Sequence, residues 1–171
     1  MRAFGVTGYL LRNARVEVRL VYTAFLGLVS IGLVTMAVFE AHHIGPTPSR
    51  VAAYYRGGER AGEMTFAKTF RELVEVTHFH SFIMGLVFLV LAHLFIATPM
   101  ATGVKAGFIA LAFGGLAGDL VAPWLIRYVA ASFAYFQIVS WLAEWAGFAA
   151  FIAVPIGEMW FTNGRNEFPP E

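Results

Sequence analysis

Four long apolar stretches dominate the pattern of this chain. They run over about 20–41, 73–97, 106–126 and 134–155, and polar or turn-forming residues separate them. A membrane span needs roughly 20 consecutive, mostly apolar residues. Backbone polar groups find no water in lipid, so such runs form helices that satisfy themselves. No segment shows the short alternating polarity of a membrane β-barrel. The pattern therefore predicts an all-α integral membrane protein, a four-transmembrane-helix bundle over 20–156, in contact with the lipid bilayer.

The punctuation between the runs is specific. Residues 1–19 carry Arg12, Arg15 and Arg19 at helical spacing, with Leu10, Leu11, Val16 and Val18 between them. This pattern predicts an amphipathic segment at the membrane surface that feeds span one. After span one, Gly45-Pro46-Thr47-Pro48 stops the helix. Thr47-Pro48 reads as an N-cap followed by proline in the first turn, so a short helix is expected from Pro48 to about Arg56, ended by Gly57-Gly58. The remainder of the 44–72 connection is charged and reads as a wet loop. Thr98-Pro99 closes span two, and residues 157–171 form a polar tail. The run Gly114-Gly115-Leu116-Ala117-Gly118 lacks the lysine-serine ending of a phosphate loop. Small residues in a span instead let helices approach closely.

Composition sharpens this picture. Hydrophobic residues make up 58% of the chain and charged residues 13%, too apolar for a small soluble domain. A net charge of +1 gives no basic surface, which argues against a nucleic-acid partner. The absence of cysteine excludes disulfides, thiolate metal sites, iron–sulfur clusters and c-type haem attachment. If the N-terminus is cytoplasmic, the inside carries Arg2, Arg12, Arg15, Arg19, Lys105 and Arg165. The outside then carries Arg50, Arg56, Arg60, Lys68, Arg71 and Arg127, an even split. The compact basic flank of span one favours a cytoplasmic N-terminus, in a bacterial inner membrane.

Candidate chemistry rests on ionisable groups within or beside the spans, which are costly in lipid and mark function by default. They are Glu40, Asp119, Glu144 and the histidines 42, 43, 78, 80 and 93. A hairpin joins spans one and two, so His42, His43, His78 and His80 lie at one face of the membrane. Span three returns Asp119 to that same face, and only His93 lies at the opposite end. Glu144 sits near mid-span between Trp141 and Trp145. Glu40, Asp119 and Glu144 are candidates for a proton relay or for buried polar contacts.

One b-type haem is the leading expectation, with His43 and His80 as preferred axial ligands and His42 and His78 as substitutes. His78, Phe82, Gly85, Leu89 and His93 fall within a stripe of about 60° on a helix, and Gly85 leaves room for a macrocycle. This arrangement resembles membrane b-type cytochromes, where two histidines on one helix bracket a glycine and two stacked haems bind. Here the partner helix offers only His42 and His43, both at one end. The resemblance thus implies one haem, because His93 has no histidine opposite it. A second haem would need an unusual partner such as methionine.

The alternative is zinc, copper or iron on His42, His43, His78 and His80, with Glu40 beside them. His78 and His80 point about 200° apart on a regular helix, so they cannot share a metal. Each loop-side histidine also fits an amphipathic anchor at headgroup level. The phenylalanines suit lipid contact or a quinone pocket. Tyr54-Tyr55-Arg56-Gly57, the segment Lys68 to His80 and the run to Thr98-Pro99 resemble a family of small bacterial four-span membrane proteins. That resemblance implies the architecture and no particular activity. The expected role is a membrane subunit of an electron-transfer complex, working between quinol and a cytochrome or another membrane subunit. The alternatives are a non-catalytic accessory subunit and a metal- or proton-handling protein. Nothing marks a stand-alone enzyme.

Overall fold

A computed structural model describes residues 10–60 and 63–162. Helix α1 spans Val16–Phe39 and runs on through a π-helical turn, Glu40–Ile44. After the loop come α3 (Phe70–Ile96), α4 (Thr102–Tyr128) and α5 (Phe133–Trp160). All four are long and apolar enough to cross a membrane, and each extends past the predicted run by a few residues at one or both ends. Their outward faces are apolar. Val21, Leu28, Ile31 and Val34 on α1 and Phe82, Ile83 and Leu86 on α3 are all more than half exposed. That is the inside-out distribution lipid demands.

The loop bears out the predicted helix. Helix α2 is Pro48–Arg56, with the Thr47 side chain accepting from Arg50 N–H at 3.4 Å and proline in the first turn. Gly45 (φ 88°) and Gly57 (φ 80°) hold left-handed turns on either side, which glycine adopts at no steric cost. A Cβ on Gly57 would stand 2.8 Å from the Ala67 backbone nitrogen. The rest of the loop is not merely wet coil. Strands β1 (Gly58–Arg60) and β2 (Glu63–Thr65) pair antiparallel, with Glu59 opposite Met64. Six residues without apolar alternation carry no strand signal. Two latches hold the loop on the bundle. Arg56 donates to the Ile126 carbonyl, and Arg127 of α4 donates back to the Lys68 carbonyl, each at 2.8 Å.

The predicted glycine packing is present, and it joins α4 to α5. Gly115 lies against the backbone of Ser140 and Glu144, Gly118 against the Ser140 side chain, and Gly147 of α5 against Ala112. Phe88, Phe95, Phe148 and Phe151 interlock in the main core, with Phe88 and Phe148 rings 4.7 Å apart at 63°. Helix α1 is peripheral. Only 11% of its most apolar stretch is buried, against 28% for α3 and 33% for α4 and α5. Ser30 and Thr35 donate within the helix, to the carbonyls of Leu26 and Gly32, and Thr23 accepts from the Trp160 indole of α5 at 2.9 Å.

Of the proposed surface segment 1–19, residues 1–9 lie outside the described chain. Residues 10–19 are not one helix. A 3-10 turn at Leu11–Asn13 leads through extended Ala14 and Arg15 into α1. Leu11 is fully buried, and its N–H bonds the Ala97 carbonyl at 3.1 Å. Arg19 holds this segment by donating to the carbonyls of Arg12, Ala14 and Met159. An arginine read as a charged flank is thus a packed staple. Of the tail read as 157–171, residues 157–160 complete α5, and residues from 163 on lie outside the described chain.

Candidate functional site

The loop end of the bundle encloses a cavity of about 440 Å³. Every element near that end contributes. The end of α1 and its π turn bring Met36, Phe39, Glu40 and Ile44, and α2 brings Tyr54 and Tyr55. Helix α3 supplies Leu73, Val76, Thr77 and His80, α4 supplies Asp119, Leu120 and Pro123, and α5 supplies Trp141. Lys68, Glu72 and Glu75 stand at its rim. The walls are mostly apolar and a few polar groups converge, which is the usual character of a small-molecule site.

Asp119 is the best-held polar group. Gln137 Nε2 and Trp141 Nε1, one turn apart on α5, both donate to its Oδ1, at 2.5 and 2.8 Å. Its Oδ2 takes neither bond. Pro123, four residues on, has no N–H, so the Asp119 carbonyl loses its helical donor. Glu40 opens the π turn, which closes with Gly45 N–H on the Glu40 carbonyl at 2.7 Å. Such one-turn π insertions often occur at functional sites. The Trp145 indole approaches the Glu40 carboxyl. Glu144 lies behind them on α5, 3% exposed, with its Oε1 unpartnered. The carboxyls of Glu40, Asp119 and Glu144 are close enough for their charges to interact.

At the rim, Lys68 Nζ lies 4.7 Å over the Tyr54 ring and 3.2 Å from Glu72. Glu72 also completes a capping box with Thr69, and Glu75 pairs with Arg71 at 2.7 Å. Burial, with Asp119, Tyr54 and Glu40 nearby, pushes the Tyr55 phenol above its ordinary range. Tyr55 therefore remains a hydroxyl where free tyrosine ionises, near pH ~10. Spectrophotometric titration of the Tyr55→Phe protein should show the same tyrosinate absorbance rise as the parent through about pH 10–11. A rise smaller by one tyrosine's share would contradict the burial.

The histidines divide. His80 alone among the described residues of that type lines the cavity, with its Nδ1–H on the Val76 carbonyl at 3.0 Å and Nε2 left as an acceptor. His42 and His43 are exposed, and His43 stacks on Phe39 at 4.3 Å. His78 is exposed, edge-on to Phe79 and Phe82. His93 is exposed at the far end, with Nδ1 on the Leu89 carbonyl at 2.7 Å. The stripe His78–Phe82–Gly85–Leu89–His93 therefore faces outward, and a Cβ on Gly85 would meet nothing within 4 Å. A stripe periodic enough to suggest a haem face is a lipid-side face of α3 within one copy of the chain. Among the described residues no three His, Asp or Glu side chains are grouped to hold a metal. The proposed four-histidine cluster thus reduces in the cavity to His80 beside Asp119.

Sequence reading did not single out Met36, Lys68, Leu120 or Pro123 as site residues. The available signal was the spacing Gln137, Trp141, Trp145 on one face of span four, with each tryptophan reaching a carboxyl on another helix.

A family model for a transmembrane helical domain matches residues 45–166, more than half of the chain. The chain belongs to this family, Aq_1264_TM. It is an integral membrane protein. The matched part of this transmembrane helical domain holds α2 to α5 and most of the cavity walls, and α1 precedes it. No curated protein and no solved structure matches the chain. None of these comparisons connects it with b-type cytochromes.

Proposed function

We propose that the chain is a non-catalytic, ligand-binding membrane subunit whose loop-end cavity receives the polar head of a lipid-soluble small molecule. The cavity carries this reading. It is apolar on most sides, lies at the loop end of the spans, and gathers Asp119, Glu40, His80 and Tyr55 around one space. A chain from the bilayer could lie along Phe39 and Val76 while its head meets these groups. Purified protein in nanodiscs is photolabelled with decyl probes that carry a diazirine and differ only in head group: hydroxyl, quinone, carboxylate or trimethylammonium. At least one should label peptides containing Glu40, Tyr55 or Leu120 saturably, and Leu120→Trp, which fills the cavity, should abolish that labelling. Labelling confined for every head group to outward residues such as Phe82 and Leu86 would overturn the reading.

A second reading keeps electron transfer, with one b-type haem or a quinone. It is favoured by His80 and Met36 lining the same cavity, since histidine and methionine together are a known axial pair. A reduced-minus-oxidised spectrum without a haem signal removes the haem form. Preferential labelling by the quinone head supports the quinone form.

A further inference from the structure

We infer that the cavity selects a cationic head, an amphipathic organic ammonium; this rests on the cavity being a ligand site. Three independent observations converge. First, carboxyls outnumber basic groups on the cavity walls: among the described residues Glu40, Glu72, Glu75 and Asp119 stand against Lys68 and His80. At the rim Glu72 pairs with Lys68 and Glu75 with Arg71, which leaves Glu40 and Asp119 on the inner wall. His80 lies near Asp119, with its Nδ1–H committed to the Val76 carbonyl.

Second, several acceptors without a donor gather at or just behind this wall. Oδ2 of Asp119 takes neither indole nor amide donor, and Pro123 frees the Asp119 carbonyl. Behind the lining, Glu144 and Gln137, 3% and 0% exposed, each keep an unpartnered Oε1 near Asp119. A buried acceptor without a donor is costly, and so many in one place call for a positive or donating partner. A quaternary ammonium has no N–H to donate, so it would be held by its charge against the Glu40 and Asp119 carboxyls.

Third, the walls are aromatic. Phe39, Tyr54, Tyr55 and Trp141 surround the acids, and the faces of such rings attract ammonium groups. The chain itself shows this chemistry at the rim, where Lys68 Nζ sits over the Tyr54 ring. Lys68 repels an entering cation only weakly, since Glu72 neutralises it.

The test compares dodecyltrimethylammonium with its carbon isostere, in which a quaternary carbon replaces the nitrogen, on the full chain in nanodiscs. Empty nanodiscs give the partition baseline, and saturable quenching of tryptophan fluorescence reports binding. The ammonium should bind at least about tenfold more tightly than the isostere. Asp119→Asn should reduce that preference to about threefold or less. Asparagine keeps an Oδ1 for Gln137 and Trp141, so the bundle stays folded, with an unchanged melting temperature as the check. Glu40→Gln is the second variant, should the first misfold, and it should also weaken the ammonium selectively. Equal binding of both probes overturns the cationic head while leaving the cavity a ligand site. Binding of neither overturns the cationic head, while the ligand-site reading stands or falls with the photolabelling by the other head groups. Ammonium binding that survives both variants unchanged overturns the assignment to these carboxyls.

Discussion

Gly115→Leu should prevent the bundle from assembling, while Gly114→Leu one residue away should leave it intact. A Cβ at 115 would stand 2.6 Å from the Glu144 backbone nitrogen and 2.9 Å from the Ser140 carbonyl oxygen. Backbone cannot turn aside as a side chain can, so α5 must move away from α4. Overpacking by single methylenes costs about 1–3 kcal/mol, and a leucine here exceeds that range because it separates the closest helix pair. Gly115→Ala should already lose about 2 kcal/mol. At Gly114 a Cβ meets nothing within 4 Å. Thermal unfolding in detergent, followed by circular dichroism and by size-exclusion profile, separates the two cases. Similar melting of both leucine variants would show that α4 and α5 do not meet where described.

The staple at the other end gives the next largest effect. Arg19→Ala removes donors to three carbonyls, those of Met159 at 2.6 Å, Ala14 at 2.9 Å and Arg12 at 2.5 Å. Hydrogen bonds from a charged group each contribute about 1.5–3 kcal/mol, and bonds from one guanidinium do not add. A loss of about 3 kcal/mol from the local opening energy of residues 10–15 is expected. Hydrogen exchange at the Leu11 amide reads it directly, because that amide bonds the Ala97 carbonyl and is protected only while the segment is seated. Exchange should speed by about a hundredfold, since each 1.4 kcal/mol is tenfold. Arg19→Lys should fall between, because one ammonium cannot present a planar fork to three separate carbonyls. An unchanged Leu11 rate in Arg19→Ala would sink the staple. The loop-end cavity lies at the far side of the membrane from this contact and should keep its ligand binding.

The two variants mark the division between pattern and packing. Gly115 and Gly118 were legible as small residues in a span, which is a general signal for close approach. Nothing in the order of residues distinguished Gly115 from Gly114, because the angular position of α4 against α5 is set by both helices together. Arg19 shows the opposite case. Its charge and its spacing from Arg12 and Arg15 read as an interfacial face, but the partner that captures it is Met159, 140 residues away. The histidine stripe on α3 was an accurate helical stripe on the outward side. Amphipathic period reveals which residues share a face and is silent on which face turns inward when lipid, like the core, accepts apolar side chains.

Residue order was enough to locate the four spans, the short helix Pro48–Arg56 with its threonine cap and glycine stops, and the gathering of Glu40, Asp119 and His80 at one end. These follow from local chemistry: run length against bilayer thickness, turn residues, and the hairpin that returns each helix to a given side. It took the packed bundle to reveal that His80, of the described histidines, lines the cavity, that Trp141 and Gln137 hold Asp119, and that Glu144 is buried with an unpartnered oxygen. Those depend on helix rotation and on the π turn that aims Glu40. Rotation is fixed by the joint packing of all four spans, which no single segment encodes.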